Sequence, residues 1–184
     1  MEYVALFFLT VLGMEAVAWL MHRYLMHGPL WVLHKSHHRR REGRFELNDA
    51  FGLFFAIPSM ILIWYGVRGH PALLALGLGM TAYGALYFFF HDMLVHRRVK
   101  LPFVPKRGYL HRVVRAHLLH HRTTTKHGAV SFGFLFAENP DKLLATLKAR
   151  AGSDGLPPPG EDASHDEAGD PGAHEKRHRQ HQTP

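Results

Sequence analysis

The sequence predicts an all-α integral membrane bundle of about three spans, carrying a histidine-rich helical cap on its cytoplasmic face. Three observations predict it: three long apolar runs within the first 90 residues, the placement of Lys and Arg between them, and a pattern of histidines confined to one side.

The runs are Tyr3 to Met21, with Glu15 its only charge, and the uncharged stretches Phe51 to Val67 and Pro71 to Phe90. At about 1.5 Å of rise per residue each reaches about 25 to 30 Å, close to the hydrocarbon thickness of a bilayer. Three buried core helices of a soluble domain would need amphipathic chain to cover them, and too little is present. The first run is expected to be a span rather than a signal peptide, because it opens with Glu2, has no basic segment before it and leads into histidine-rich sequence without a small-residue cleavage site. The mean hydropathy of −0.12 therefore averages a membrane domain, residues 1–140, with a polar tail, residues 141–184, expected to be disordered after about residue 150. Pro58 falls inside the second run, where neighbouring groups must satisfy the carbonyl it frees.

Lys and Arg set the orientation. Of 22, six lie from Arg23 to Arg44, one (Arg68) between the second and third runs, nine from Arg97 to Lys126, and six from Lys142 onward. The positive-inside rule then puts residues 22–48, and everything after residue 91, in the cytoplasm. The apolar stretch Ala129 to Ala137 is too short to span and reads as interfacial or re-entrant. A net charge of +7 would raise nucleic-acid binding in a soluble chain. Here the basic residues flank spans and no aromatic-interleaved groove is present, so the expectation is a lipid membrane and an acidic soluble partner, with no nucleic acid.

The chain has no Cys, which excludes disulfides, cysteine-ligated zinc or iron–sulfur clusters, thiolate haem and a cysteine nucleophile. Any redox chemistry must draw its electrons from outside. Histidine is over-represented, at 17 of 184 residues, and ten of the 17 form a repeated pattern. His22 and His27 read HxxxxH, and His34, His37 and His38 read HxxHH; His91 and His96, then His117, His120 and His121, repeat both words in the same order. Each HxxxxH stands at the cytoplasmic end of a span and each HxxHH in the basic segment that follows.

On a helix, residues at i, i+3 and i+4 share a face, which aligns the three rings of each HxxHH. Residues five apart lie about 140° apart on a regular helix. Either the turn carrying His22 and His27 is distorted, or the two rings address different ions. Ten ligands are too many for one ion; two metals with about five nitrogens each accommodate them and leave positions for oxygen or water. Imidazole suits iron, zinc, copper and nickel, so the residues alone do not name the metal. His70, His111 and His127 read as ordinary interfacial histidines, and His165, His174, His178 and His181 fall in the polar tail.

Asp92, beside His91, and the pair Asn48 and Asp49 before the second span are candidates to accept N–H bonds from ligating imidazoles. Asn48 or Asp49 would also serve as the N-cap of that span. Glu15 either faces the bundle, hydrogen-bonded, or belongs to a substrate path. Tyr83, Tyr87 and Phe88 to Phe90 either pack or line a channel for a long apolar substrate. No separate acid or base catalyst is assigned.

With these motifs, and with Glu46-Leu47-Asn48-Asp49, His91-Asp92-Met93-Leu94-Val95-His96 and Val130-Ser131-Phe132-Gly133-Phe134-Leu135, the chain resembles the membrane fatty-acid hydroxylase and desaturase superfamily of histidine-rich di-iron oxygenases. Within it, residues 1–140 look most like bacterial β-carotene hydroxylases. The resemblance implies a monooxygenase of a bacterial inner membrane with two non-haem iron ions, O2 as co-substrate and electrons from reduced ferredoxin. It would insert oxygen at C3 of a β-ionone ring, taking β-carotene to β-cryptoxanthin and then zeaxanthin. Three rivals stand beside it: a fatty-acid, sterol or other lipid hydroxylase or desaturase of the same superfamily; an intramembrane zinc peptidase, which would want an HExxH word; and a membrane metal transporter, which would spread its ligands along a path through the bilayer.

Overall fold

The computed structural model describes residues 1–39, 43 and 45–153, with the side chains of 152 and 153 left aside. Among these residues every regular element is helical. The chain divides into two units, Met1–Leu147 and Lys148–Pro184; of the second, Lys148–Ser153 are described and end a helix, and the expected disorder beyond them lies outside the described residues.

Three helical stretches are long and apolar enough to cross a membrane: Glu2–Met26, Leu47–Gly66 and Pro71–Val95. The first comprises α1 (Glu2–Leu20) and a π-helical turn (Met21–Met26), and a single turn, α2 (Trp31–His34), follows it. The second comprises a 3-10 turn (Leu47–Asp49) and α3 (Ala50–Gly66). The third comprises α4 (Pro71–Tyr87) and a second π-helical segment (Phe88–Val95). Helix α5 (Gly108–His121) and helix α6 (Pro140–Ser153) complete the chain.

The spans present apolar side chains outward, as a lipid-facing surface does: Leu9, Phe54, Leu53, Met60 and Trp64 are all exposed. Their mutual packing uses small residues instead. A Cβ on Gly79 would stand 2.7 Å from Thr10 Cβ of α1, and one on Gly77 would stand 2.7 Å from Ile63 Cγ1 of α3, so two glycines two residues apart open opposite faces of α4 to its two neighbours. Ser59 closes the α3–α4 contact by donating to Gly77 O at 2.8 Å, and α3 continues through Pro58 without a break. The C-terminal ends of α1 and α4 and the N-terminal end of α3 all meet at the histidine layer, so the three spans alternate in direction.

Asp49 stands at the N-cap of α3, one of the two positions expected, but makes no side-chain cap bond there. Glu46 is the N-cap of the preceding 3-10 turn and Asp49 its third residue, with the Asp49 side chain accepting Glu46 N–H at 3.0 Å, which leaves Asn48 to another contact. On the other side of the layer, Ala116 and Leu119 of α5 pack with Val130, Leu143 and Leu147.

Residues 129–137 form no helix or strand. They are a strap whose depth is set by Glu15, which accepts the backbone N–H groups of Phe134, Leu135 and Phe136 at 2.9, 2.9 and 3.2 Å on one oxygen and the Tyr83 hydroxyl at 2.7 Å on the other. Glu15 precedes His22 by seven residues, roughly 10 Å along the helix, so the strap dips below the histidine layer. Irregular backbone at such depth requires protein partners, and the carboxylate supplies them. Of the two readings of Glu15, the structure shows the bundle-facing, hydrogen-bonded one.

Candidate metal centre

The two HxxxxH words fall on the two π-helical turns. His27 N–H donates to His22 O at 3.0 Å and His96 N–H to His91 O at 2.9 Å, each an i to i+5 bond. Each such turn holds an extra residue, which brings side chains five apart to one face. The distortion that the spacing demanded of a common site is therefore built into the backbone at both places.

The ten rings form two groups of five. One ring nitrogen each from His22, His27, His34, His38 and His120 lies within 4.8 Å of the others, and the same holds for His37, His91, His96, His117 and His121. The two words of each repeat do not stay together. His34 and His38, four apart, join the His22–His27 pair, while His37 crosses to the other group; His117 and His121 join His91 and His96, while His120 crosses back. Each group thus takes four histidines from its own repeat and one from the other. On α5 the swap follows from helical spacing, whereas His37 and His38 lie in turns just past the end of α2. Residues four apart differ by about 40° around a helix axis, whereas the one between them points about 60° to the other side. Among the described residues no group includes His70, His111 or His127.

The first group has all five Nδ1 atoms committed. His22, His27, His38 and His120 place Nδ1 at 2.9, 3.0, 2.8 and 2.9 Å from the carbonyl oxygens of Phe132, Lys126, Thr123 and Val130, and His34 Nδ1 stands 2.7 Å from Asn48 Oδ1. A carbonyl oxygen can only accept, so each Nδ1 carries the proton and each Nε2 a lone pair. Those Nε2 atoms converge: His22 and His34 at 3.2 Å, His34 and His38 at 3.1 Å, His27 and His120 at 3.1 Å. Lone pairs at that distance repel unless a cation lies between them. Adjacent ligands on an octahedral ion with metal–nitrogen bonds of about 2.1 Å stand about 3.0 Å apart, which matches the spacing.

The second group is backed by carboxylates. His37 Nδ1 donates to Glu46 Oε2 at 3.0 Å, and His91 Nδ1 lies 3.6 Å from Asp92 Oδ2, an electrostatic contact rather than a hydrogen bond. The same convergence recurs, with Nε2 atoms of His37 and His91 at 2.9 Å and of His117 and His121 at 2.9 Å. Arg98 ties the backing together, reaching Asp49 at 2.7 Å, Asp92 at 3.0 Å and Glu46 at 3.3 Å. It is placed by the turn after His96, where Arg97 adopts φ 49° and Arg98 N–H closes on Asp92 O at 2.8 Å. Asn48 and Asp92 thus stand beside rings of the two groups, while Asp49 is linked to them through Glu46 and Arg98.

Glu46, Arg98 and the four carbonyls escaped the sequence reading of site residues. Glu46 was within reach of it, lying two residues before Asn48 in the same word; Arg98 was one of nine basic residues read as topology, and a carbonyl has no sequence signature.

Burial keeps the rings neutral. Outside the spans it lowers His27, His37, His117, His120 and His121 below the ordinary 6.5, and brings His34 to about 4 and His38 to about 3. A neutral imidazole is the form that binds a metal. In the unfolded chain these groups take up protons as pH falls through about 6.5, while in the fold His34 stays neutral to about 4 and His38 to about 3, and the other five are held below the ordinary value by the same burial. The unfolded state then binds more protons and gains relative stability. The expected result is a metal-free protein whose melting temperature in detergent falls steadily from about pH 6.5 to pH 4; a flat profile across that window would contradict this burial.

The comparisons with known proteins agree with this geometry. A family model described as fatty acid hydroxylase matches residues 7–146, which takes in both groups. The chain belongs to the fatty acid hydroxylase family. Within that family it is similar to a β-carotene hydroxylase of Pantoea ananas, 50% identical over 146 residues, covering 79% of this chain and 83% of the relative. It is also similar to a β-carotene hydroxylase of Paracoccus sp. (strain PC1), 46% identical over 76% of this chain and 86% of the relative. A chloroplastic β-carotene 3-hydroxylase of Arabidopsis thaliana is 42% identical over 67% of this chain and 42% of its own length. No solved structure matches the chain significantly.

The family sets the zinc peptidase aside, and it has to do so alone. The sequence does contain one HExxH word, His174-Glu175-Lys176-Arg177-His178, in the tail outside the described residues.

Proposed function

We propose that the protein hydroxylates the β-ionone rings of carotenoids at C3, converting β-carotene to β-cryptoxanthin and then zeaxanthin, with two iron ions held by the two histidine groups. The observation that carries this reading is the pair of five-nitrogen groups in a chain similar to β-carotene hydroxylases along most of its length. Each ring adds one oxygen atom from O2; the other leaves as water, with two electrons from reduced ferredoxin and two protons. Iron, when bound, supplies the activation of O2 and the oxidising power that an unactivated C–H bond requires.

The chain's own residues do the rest. His22, His27, His34, His38 and His120 would hold one ion, and His37, His91, His96, His117 and His121 the other. The carbonyls of Phe132, Lys126, Thr123 and Val130, together with Asn48, fix the tautomer and aim of the first five rings. Glu46 and Asp92, held by Arg98, place negative charge behind His37 and His91 and make them stronger donors. The strap and its aromatic rings exclude water: His120 and His22 are 0% and 1% exposed. The substrate is a hydrocarbon dissolved in the bilayer, so the centre sits where a ring can rise from lipid to metal. The basic segments beside the histidine layer support a cytoplasmic location for it, from which it would face a soluble donor.

Pigment analysis of β-carotene-accumulating cells that express the chain tests this. Products heavier by one and then two oxygen atoms are expected. Unchanged pigment, with iron-loaded protein in the membrane and a competent ferredoxin supplied, would reject the substrate assignment.

A further inference from the structure

The ten rings are not equally covered. All five histidines of the first group are buried, as are His37, His91 and His117 of the second, but His96 and His121 are part-exposed. These two rings stand 4.7 Å apart, and His37 lies 4.3 and 4.7 Å from them. Their Nε2 sides face inward: that of His121 lies 2.9 Å from His117 Nε2, and that of His96 is buried. What reaches the surface is the edge of each ring away from the ligand set. Three of the four histidine words end beside an arginine, as His38-Arg39, His96-Arg97 and His121-Arg122, whereas the fourth ends His27-Gly28 within the closed group. The three arginine-bearing words meet, because His38 stacks on His121 at 4.5 Å beside His96. Arg39, Arg97 and Arg122 are therefore each one residue from a ring of this contact; the first two are exposed and the third part-exposed. Among the described residues no carboxylate pairs with Arg39 or Arg97, while Asp49, Asp92 and Glu46 are gathered on Arg98.

We infer that this arginine rim docks a small, soluble, acidic one-electron carrier, and that electrons enter through the exposed imidazole edges of His96 and His121. The inference rests on the hydroxylase reading, which needs two electrons for each hydroxylation from outside a chain with no Cys, and adds where they come in. Charge selects the partner, since an anionic face is drawn to the rim and oriented by it. The two rings supply the path. Each has one edge at the docking surface and the other among the ligands of one ion, so an electron crosses a single imidazole instead of a layer of protein. His38, stacked on His121, continues the contact into the first group. In each encounter the carrier gives up one electron and the iron held by the second group takes it up; two encounters serve one hydroxylation, and no bond is made or broken between the partners. Membrane topology asks only for basic residues somewhere in these segments. It does not place them directly after the three words that meet at part-exposed rings.

The test uses the full-length, iron-loaded protein in detergent, with a two-iron, two-sulfur ferredoxin as the acidic carrier. Arg39→Glu, Arg97→Glu and Arg122→Glu combined are expected to weaken carrier binding about tenfold or more at low salt and to flatten its salt dependence. Iron per chain, and reduction of that iron by a small chemical reductant, should stay at wild-type values. The corresponding triple change to Gln is gentler on the fold and should fall between. Arg68→Glu, at the opposite end of the spans, is the control and should bind the carrier as wild type does. Unchanged carrier affinity in both triple variants, or an equal loss in Arg68→Glu, overturns the docking site. So does rim-dependent binding to vesicles of anionic phospholipid with none to the carrier, which would make the rim a headgroup contact. A carrier that binds through the rim and reduces the iron, in cells whose β-carotene stays unchanged, supports the docking site and refutes the proposed reaction instead.

Discussion

Replacing His22 and His120 together by Ala is expected to leave about one iron per chain, whereas replacing His117 and His120 together leaves close to none. The first pair belongs to one group although 98 positions apart; the second pair belongs to two groups although in one motif. Each single change, at His22, His117 or His120, removes one of five ligands and is expected to lower activity by at least a hundredfold, with His22→Ala and His120→Ala no worse combined than alone. Ligands of one ion act as a unit, so their losses do not add. The measurement is metal per purified chain at limiting iron. If adjacent histidines of one motif behaved as the unit, the crossing of His37 and His120 would be wrong.

The second large effect is expected at Glu15. Its carboxylate accepts three N–H groups of the strap and the Tyr83 hydroxyl in a buried, membrane-depth position. Glu15→Ala orphans all four donors, at about 1–3 kcal/mol each where no water replaces the partner. The strap also supplies the Val130 and Phe132 carbonyls that aim His120 and His22. Loss of the anchor should therefore abolish activity, reduce iron in the first group before the second, and lower the melting temperature by many degrees. Tyr83→Phe removes one donor and should cost about 1 kcal/mol, with activity largely kept. Comparable thermal stability and iron content in Glu15→Ala and wild type would show that the strap is held elsewhere.

What the sequence disclosed, and what it hid, follows the range of the interactions. Spans are set by runs of local hydropathy, and the helices carrying Tyr3 to Met21, Phe51 to Val67 and Pro71 to Phe90 are legible for that reason. The motif spacing exposed a conflict at His22 and His27 but left open whether the turn or the ligand set gives way; the π-turns, a long-range compromise between helix and site, decide it. The crossing of His37 and His120 was hidden because a face shared on one helix does not say which neighbouring rings it meets. Glu15 was recognisable as an anomaly, an acid in a span, but its partners lie 68 to 121 residues away in the chain. Backbone carbonyls that orient histidines are invisible in any sequence, because every residue has one. Asn48 and Asp49 show the limit in miniature: the capping role fell to Glu46 and Asp49, and Asn48 turned to His34.

The claim on which the rest depends is that ten histidines from two repeats form two adjacent metal sites of five nitrogens each. X-ray absorption on the purified, detergent-solubilised protein, normalised to iron per chain, addresses it most directly. Two irons per chain, each with about five nitrogen neighbours near 2.1 Å and no sulfur, is the predicted result. A single iron per chain, or a shell dominated by oxygen, would contradict it.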